Sequence, residues 1–470
     1  MRRVFAVVML LLALPAVAQP AAPAQADVNA PIVLWAAGDL YAARANALDQ
    51  PPQRLTESGV ISGPALSPDG ARLAYRAAAP VGLEALSRLQ TSGGVAEFDL
   101  PADIYLFDLA QGTASMIAGQ PADASLFVEG VPDRAAVRSA PTWSPDGAQI
   151  AWTELAFGDS AAQLYLYDIA RGLTGRVEIN VPVVRGAAPA VLWGEGGLAI
   201  SAGEIIPGQP AFALYTPDGL LRGGVVFAAA LDEALETTAW IDVGGMALLG
   251  GLFSSGRWII VDPATGLQAS PDLQPELVAR GDPQGSLGLR FGADPDVGMF
   301  WETADPSGVA PGGAFPAGPG RATLSPSGRS VAFLGYPGYT AAALWNDGVV
   351  SAVSGTGADA LDVGAVLWGP TRWQVREVLT AEHCPGFLPS RMIVGGSGYV
   401  LTPAGDQMLY DAPSFSAAQL GIVAAGGMFE VLEGPQCAEE TAWWRVQAGS
   451  LTGWLAEGEG DRYWLTPPLQ

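Results

Sequence analysis

The chain has 470 residues, about three times a typical domain length, so one very large domain or two smaller ones is the expectation. It is 49% hydrophobic and only 15% charged, which excludes intrinsic disorder for most of its length, and its 60 glycines and 38 prolines call for many turns. With 23 basic against 47 acidic residues, a net charge of −24 and no lysine at all, the composition counts against nucleic acid and anionic membrane surfaces as partners.

Residues 1–26 read as an export signal with a short tail. Met1-Arg2-Arg3 is a positive start, Val4 to Leu14 is unbroken apolar sequence, and Pro15 ends it. Small-residue cleavage sites follow at Ala16-Val17-Ala18 and Ala24-Gln25-Ala26. The apolar run is shorter than the roughly 20 residues that span a bilayer, and no cysteine lies near either site to carry a lipid. No later segment is long and apolar enough to span. The expected location is outside the cytoplasm, in the cell envelope or secreted. In that oxidising setting the cysteine pair, Cys384 and Cys437, is read as a disulfide, with two free thiols or half a metal site as the alternative.

From residue 27 to about 378, two short patterns alternate. The first is a turn that leads into a strand. Leu66-Ser67-Pro68-Asp69-Gly70 precedes Leu73 and Tyr75, Trp143-Ser144-Pro145-Asp146-Gly147 precedes Ile150 and Trp152, and Leu324-Ser325-Pro326-Ser327-Gly328 precedes Val331 and Phe333. Proline presets the turn, Asp or Ser suits the next position, and glycine accepts the left-handed conformation that follows. Large apolar residues at alternate positions, with Ala74, Ala151 and Ala332 between them, give the period-two pattern of a strand. The second pattern is a strand ending in Asp, with glycine four residues on: Asp108 and Gly112, Asp168 and Gly172, Asp262 and Gly266.

The second pattern recurs from Asp168 through Thr216 to Asp262 at about 40 to 50 residues, the period of a four-stranded propeller blade, and counting turn equivalents near residues 66, 143, 193, 240, 290, 324 and 367 gives seven units. The expectation is an all-β, seven-bladed β-propeller, with six blades as the alternative because residues 270 to 320 mark their unit poorly. A half-blade at each end would pair to close the ring. The Ser-Pro-Asp-Gly turns and their strands resemble the WD40-like repeats of TolB-type periplasmic propellers. Between Leu66 and Trp143 the spacing is about 30 residues longer than elsewhere, with a helical stretch at Leu83 to Leu89 and a polar one with Asp133, Arg134 and Arg138. Such an insertion is a place for a partner site, though a plain surface loop is the simpler reading.

Residues 379–470 break the repeat. Tyr410-Asp411-Ala412-Pro413-Ser414, Phe429-Glu430-Val431-Leu432, Trp443-Trp444-Arg445-Val446, Gly453-Trp454 and Tyr463-Trp464-Leu465 resemble, in order and spacing, a bacterial SH3 domain from about Met392 to Pro467. That resemblance implies a small SH3-like β-barrel that docks on cell-wall peptide or glycan, or on an envelope protein. Tyr410 stands where such domains usually carry arginine, so a contact made through that arginine is not implied here. In a strand Trp443 and Trp444 face opposite ways; Trp444 shares a face with Val446 and is read as core, while Trp443 shares one with Arg445 and is expected to be partly exposed. Trp443, Trp454 and Tyr463 are therefore the candidate ligand platform, with packing of Trp443 on the Cys384 segment as the alternative.

Chemistry is narrowed by one residue. His383 is the only histidine, so paired-His metal motifs are absent, and no Gly-x-Ser-x-Gly elbow accompanies it. The recognisable Asp residues all sit at turns. No catalytic residue, metal site or cofactor is assigned, and the expected function is that of an exported, non-enzymatic binding or scaffold protein. The rival is a carbohydrate-active propeller enzyme with carboxylates at its channel.

Overall fold

In this computed structural model, described for residues 25–466 apart from 92–98, 180, 182–186, 207–208, 231–232, 244, 264–267, 270–274, 281–287, 295–297, 305–313, 316–320, 336–339, 347–348, 376–383, 385–386, 388–391, 393, 402–403 and 460–461, the two sequence patterns have the local geometry expected of them. In the first turn, Asp69 Oδ1 accepts from the Ser67 hydroxyl and the Ala71 amide, and the Gly70 amide donates to the Ser67 carbonyl with φ at 70°. Asp146 repeats this with Ser144, Ala148 and Gly147. In the second pattern, Asp108 accepts from the amides of Ala110 and Gln111, and Asp168 from that of Arg171. These aspartates hold turns together. Gly266, His383 and the export signal through Ala24 lie outside the described residues.

Each turn launches a strand whose alternating large residues are buried. Leu73, Tyr75, Ile150, Trp152, Val331 and Phe333 are all core, and the alanines between them are buried too, because neighbouring sheets cover both faces. The strands Ile61–Leu66, Arg72–Ala78, Ala102–Asp108 and Thr113–Ala118 form an antiparallel meander, and burial falls away at its outermost strand. Ring closure is as expected from the split ends. Val363–Leu367 pairs antiparallel with Ile32–Ala36, which carries Asp39–Ala43 and Gln53–Arg54 beside it. Upstream of Ile32, Asp27 is buried and accepts from the amide and hydroxyl of Ser327, tying the N-terminal residues to the turn at Ser325.

The propeller comprises six sheets among the described residues, which corrects the expected seven blades. The reason is one short strand. Thr371–Gln374 runs parallel to Leu235–Val243, with Ile241 opposite Trp373, and antiparallel to Glu276–Ala279, with Leu277 opposite the same Trp373. It thereby fuses two meanders, Leu235–Val243 to Gln268–Ala269 and Glu276–Ala279 to Ala314–Phe315, into one nine-stranded sheet. Trp373 packs between Trp258 and Trp301, its ring centre 4.9 Å and 5.6 Å from theirs.

The long interval after Leu66 holds the helix Pro80–Thr91, longer than its sequence signal. It packs through Ala85 on Leu126, Ala135, Val137, Leu155 and Phe157. Arg138, expected on a polar surface stretch, is buried: it donates to Glu154 and to the carbonyls of Ala102 and Gly119, stitching two sheets. No helix among the described residues is long and apolar enough to cross a membrane.

Beyond the propeller lies a curled seven-stranded sheet, in the order Gln419–Val423, Gln407–Tyr410, Leu451–Ala456, Thr441–Ala448, Met428–Ala438, Ser397–Val400, Leu465–Thr466. Its first and last strands do not pair with each other, so it is a half-barrel among the described residues where a closed barrel was expected. Leu401 is buried in the same core cluster as Trp301 and Trp345 of the propeller, and Tyr463 packs against that cluster. Cys384 and Cys437 form a disulfide that ties the entering segment to the long hairpin.

Candidate functional site

Two of the Ser-Pro-Asp-Gly turns, through Pro68, Ser144 and Pro145, and strands of several sheets together line a cavity of about 580 Å³. Five indoles contribute to its wall: Trp143, Trp193, Trp240, Trp368 and Trp373. Trp143 and Trp193 stand at or just before the turn that follows their strands, and Trp240 lies three residues short of the end of Leu235–Val243. Two have their N–H groups committed. Trp143 Nε1 donates to the Ala65 carbonyl at 3.0 Å and Trp368 Nε1 to that of Ala30 at 3.3 Å, so these rings also staple one segment to the next. Trp240 lies on bare backbone. A Cβ added at Gly194 or Gly196 would come within 2.3 Å or 2.2 Å of its ring, and only glycine permits that approach.

The charged lining is two arginines and two carboxylates. Arg280 sits at a turn, its amide donating to the Pro370 carbonyl, and its guanidinium lies 3.4 Å from Glu195, whose side chain is 76% exposed. Arg372 comes from the fusing strand, with Nη1 3.8 Å from Asp242 Oδ2. The other oxygen of Asp242 accepts from the Gly245 amide at 2.7 Å. Close by, the Ser144 hydroxyl holds Asp146 below the usual carboxylate range, with the Ala148 amide and the charge of Arg280 adding to the effect. Among the described residues no three His, Cys, Asp or Glu side chains converge as a metal-binding group. The cavity thus offers flat apolar walls, hydroxyls and cationic donors.

The residues singled out in the C-terminal segment are arranged otherwise. Trp443 and Trp444 do face opposite ways, but both are buried, which corrects the exposure expected for Trp443. Trp444 donates to Glu457 within the half-barrel core. The face of Trp443 is covered by the segment after Asp411. Phe415 lies 4.7 Å and Tyr410 5.6 Å from its ring, and its N–H donates to the Ala438 carbonyl. That cover is pinned by Glu439 in a two-residue hairpin turn at Glu439-Glu440, both at positive φ. Its carboxylate accepts from the Phe415 amide and the Ser414 hydroxyl, which hold it below its ordinary pKa. Trp454 joins the buried Trp443 cluster, whereas Tyr463 packs edge-on to Phe387 beside Cys384. The three do not form one platform. It is Ala442, not Trp443, that packs on the Cys384 segment.

No family model matches the chain, and no curated protein matches it. Among solved structures it is similar to TolB from Acinetobacter baumannii, at 16% identity over 74% of this chain and 67% of that one, with a TM-score of 0.34. It is also similar to a putative 6-phosphogluconolactonase from Bacteroides fragilis, at 12% identity over 73% and 99%, TM-score 0.42. A third is an oligogalacturonate lyase in complex with manganese, at 15% identity over 63% and 79%, TM-score 0.39. At these identities the likeness concerns the propeller fold alone.

Proposed function

We propose that this chain is an exported binding protein of a bacterial cell envelope, with its ligand held in the tryptophan-walled mouth of the propeller channel. The half-barrel, read as an SH3-like module, docks the protein on cell-wall material or an envelope partner. The observation that carries this reading is the cavity itself, a recess of about 580 Å³ within the ordinary size of small-molecule sites, with five indoles in its wall. A carbohydrate-cleaving enzyme would need two carboxylates free to serve as acid and base. Here Asp242 holds an amide with one oxygen and Glu195 sits at the exposed rim beside Arg280.

The test uses soluble muropeptides, released from peptidoglycan by a muramidase, mixed with the purified mature protein. Hydrogen exchange is followed along the chain and muropeptide masses are read before and after. Protection at residues 142–145, 192–195, 240–247 and 368–373 with unchanged masses is the expected result. New cleavage products would replace this reading with the enzymatic one. Protection confined to 397–466 would move the ligand site to the half-barrel.

A further inference from the structure

Among the described residues, the charged side chains in the cavity lining stand as two opposite pairs: Arg280 with Glu195 at 3.4 Å, and Arg372 with Asp242 at 3.8 Å. The lining therefore carries no net charge, although the whole chain carries −24. The Arg372 pair is occupied further. Gln374 Oε1 lies 3.5 Å from Arg372 Nη2, and Asp242 Oδ1 accepts from the Gly245 amide. The rim pair is more open. Among the described residues its side chains share one hydrogen bond, from Arg280 Nη2 to Glu195 Oε1, and they are 32% and 76% exposed. The second oxygen of Glu195 and the other guanidinium N–H groups of Arg280 are thus left to solvent or to a ligand.

That pair limits what can lie against it. A ligand carboxylate would accept from Arg280 but be repelled by Glu195, and an ammonium would donate to Glu195 but be repelled by Arg280. A hydroxyl donates and accepts, so it serves both members and adds no charge. Thr142, Thr238 and Thr371 line the same cavity with neutral hydroxyl-bearing side chains. Of the five indoles, Trp143 and Trp368 are buried, while Trp193 and Trp240 keep part of their surface exposed. The C–H face of a sugar ring covers an indole while its hydroxyls project from the ring edge, which joins both requirements in one unit. Resting on this cavity being the binding site, we propose that it takes an uncharged sugar chain, a ring on Trp193 or Trp240 and hydroxyls between Glu195 and Arg280, and that the balanced pair disfavours acidic and basic sugars alike.

The test is isothermal titration of the full mature protein in mildly acidic buffer at about 0.15 M salt, where the long-range field of the acidic chain is screened. The probes are tri-N-acetylchitotriose, its deacetylated cationic form, trigalacturonic acid, and the capped peptide acetyl-Ser-Gly-Ser-amide. The uncharged sugar is expected to bind about fivefold tighter than either charged one. Glu195→Gln, which leaves Arg280 unbalanced, should raise affinity for trigalacturonic acid about threefold, and Arg280→Gln should do the same for the cationic sugar. Both side chains reach solvent, and a melting curve for each variant guards against misfolding. Equal or tighter binding of a charged sugar by the wild type, or a charge order that neither substitution moves, overturns the inference. Tighter binding of the capped peptide overturns the sugar and puts a peptide in its place. Failure of every probe overturns the inference as well. In each of these cases, protection of the cavity residues by muropeptides decides separately whether the site itself stands.

Discussion

Replacing Trp373 by alanine tests the architecture at its least expected point. Its ring fills the gap between Trp258 and Trp301, both nearly fully buried, and its backbone is in register with Ile241 on one side and Leu277 on the other. Deleting a buried tryptophan costs about 3–5 kcal/mol, and because this ring is only partly buried the low end, about 3 kcal/mol, is expected. Trp373→Phe, which keeps one ring of contact, should lose about 1 kcal/mol. Urea unfolding gives the totals, and hydrogen exchange gives the place. Amides of 371–375 and 276–279 should lose protection in the alanine variant, while those of Arg72–Ala78 keep theirs. A loss below about 1 kcal/mol with unchanged exchange would mean that the two meanders hold together without the strand between them, and the account of the nine-stranded sheet would fail.

Glu233 offers a pH test. Its carboxylate takes the Arg257 fork, the Ser255 hydroxyl and the Ala230 amide, which lower its pKa from 4.5 to about 2. A depressed carboxylate stabilises the fold fully above its unfolded value of 4.5, and that share is lost as pH falls from there through about 2. After allowance for solvent around the half-exposed arginine, the share is about 2 kcal/mol, so the Tm gap between wild type and Glu233→Gln should be wide at pH 7 and nearly closed at pH 2; a constant gap refutes it. Removing the disulfide with Cys384→Ala and Cys437→Ala opens a loop spanning 53 positions and should cost roughly 4 kcal/mol in chemical denaturation. No change in the denaturation midpoint would show the cross-link to be dispensable. Trp443→Ala should destabilise the half-barrel by about 3–5 kcal/mol and remove the ring on which Phe415 packs, read as faster cleavage by protease between Asp411 and Ala418. An unchanged melting curve would contradict its burial.

What the sequence made legible was local. A Ser-Pro-Asp-Gly turn carries its hydrogen-bonding groups within itself, and alternation in the next strand states which residues face a core, so Leu73, Ile150 and Val331 are where their pattern puts them. The strand Thr371–Gln374 has neither signal. It is short, its flanking partners lie far off in sequence, and nothing in Arg372 or Trp373 announces a parallel neighbour at Ile241. Trp443 illustrates the same limit. Alternation correctly sets it opposite Trp444, yet what covers the second face is a loop pinned by Glu439, a pairing between residues that no period connects. The cavity tryptophans were the signal passed over: Trp143, Trp193 and Trp240 recur in the strands that lead into turns, close to the turn equivalents counted in the sequence, and all three line one cavity.

The fusing strand also governs how the two parts of the chain must be tested. It brings Arg372 into the cavity and, one residue past its end, the Val375 amide donates to the Asp242 carbonyl before the chain leaves for the half-barrel. On the far side, Leu401 and Tyr463 return to the cluster that holds Trp301 and Trp345. Cavity, fusing strand and half-barrel therefore share one run of packed side chains. A fragment limited to residues 384–470 would expose Leu401 and the inner side of Tyr463 to water, and apolar surface of that kind adheres to many partners. Retention of such a fragment on cell-wall material would report that exposed face as readily as a docking site. Only the whole chain, with its core closed, separates docking by the half-barrel from ligand capture in the channel.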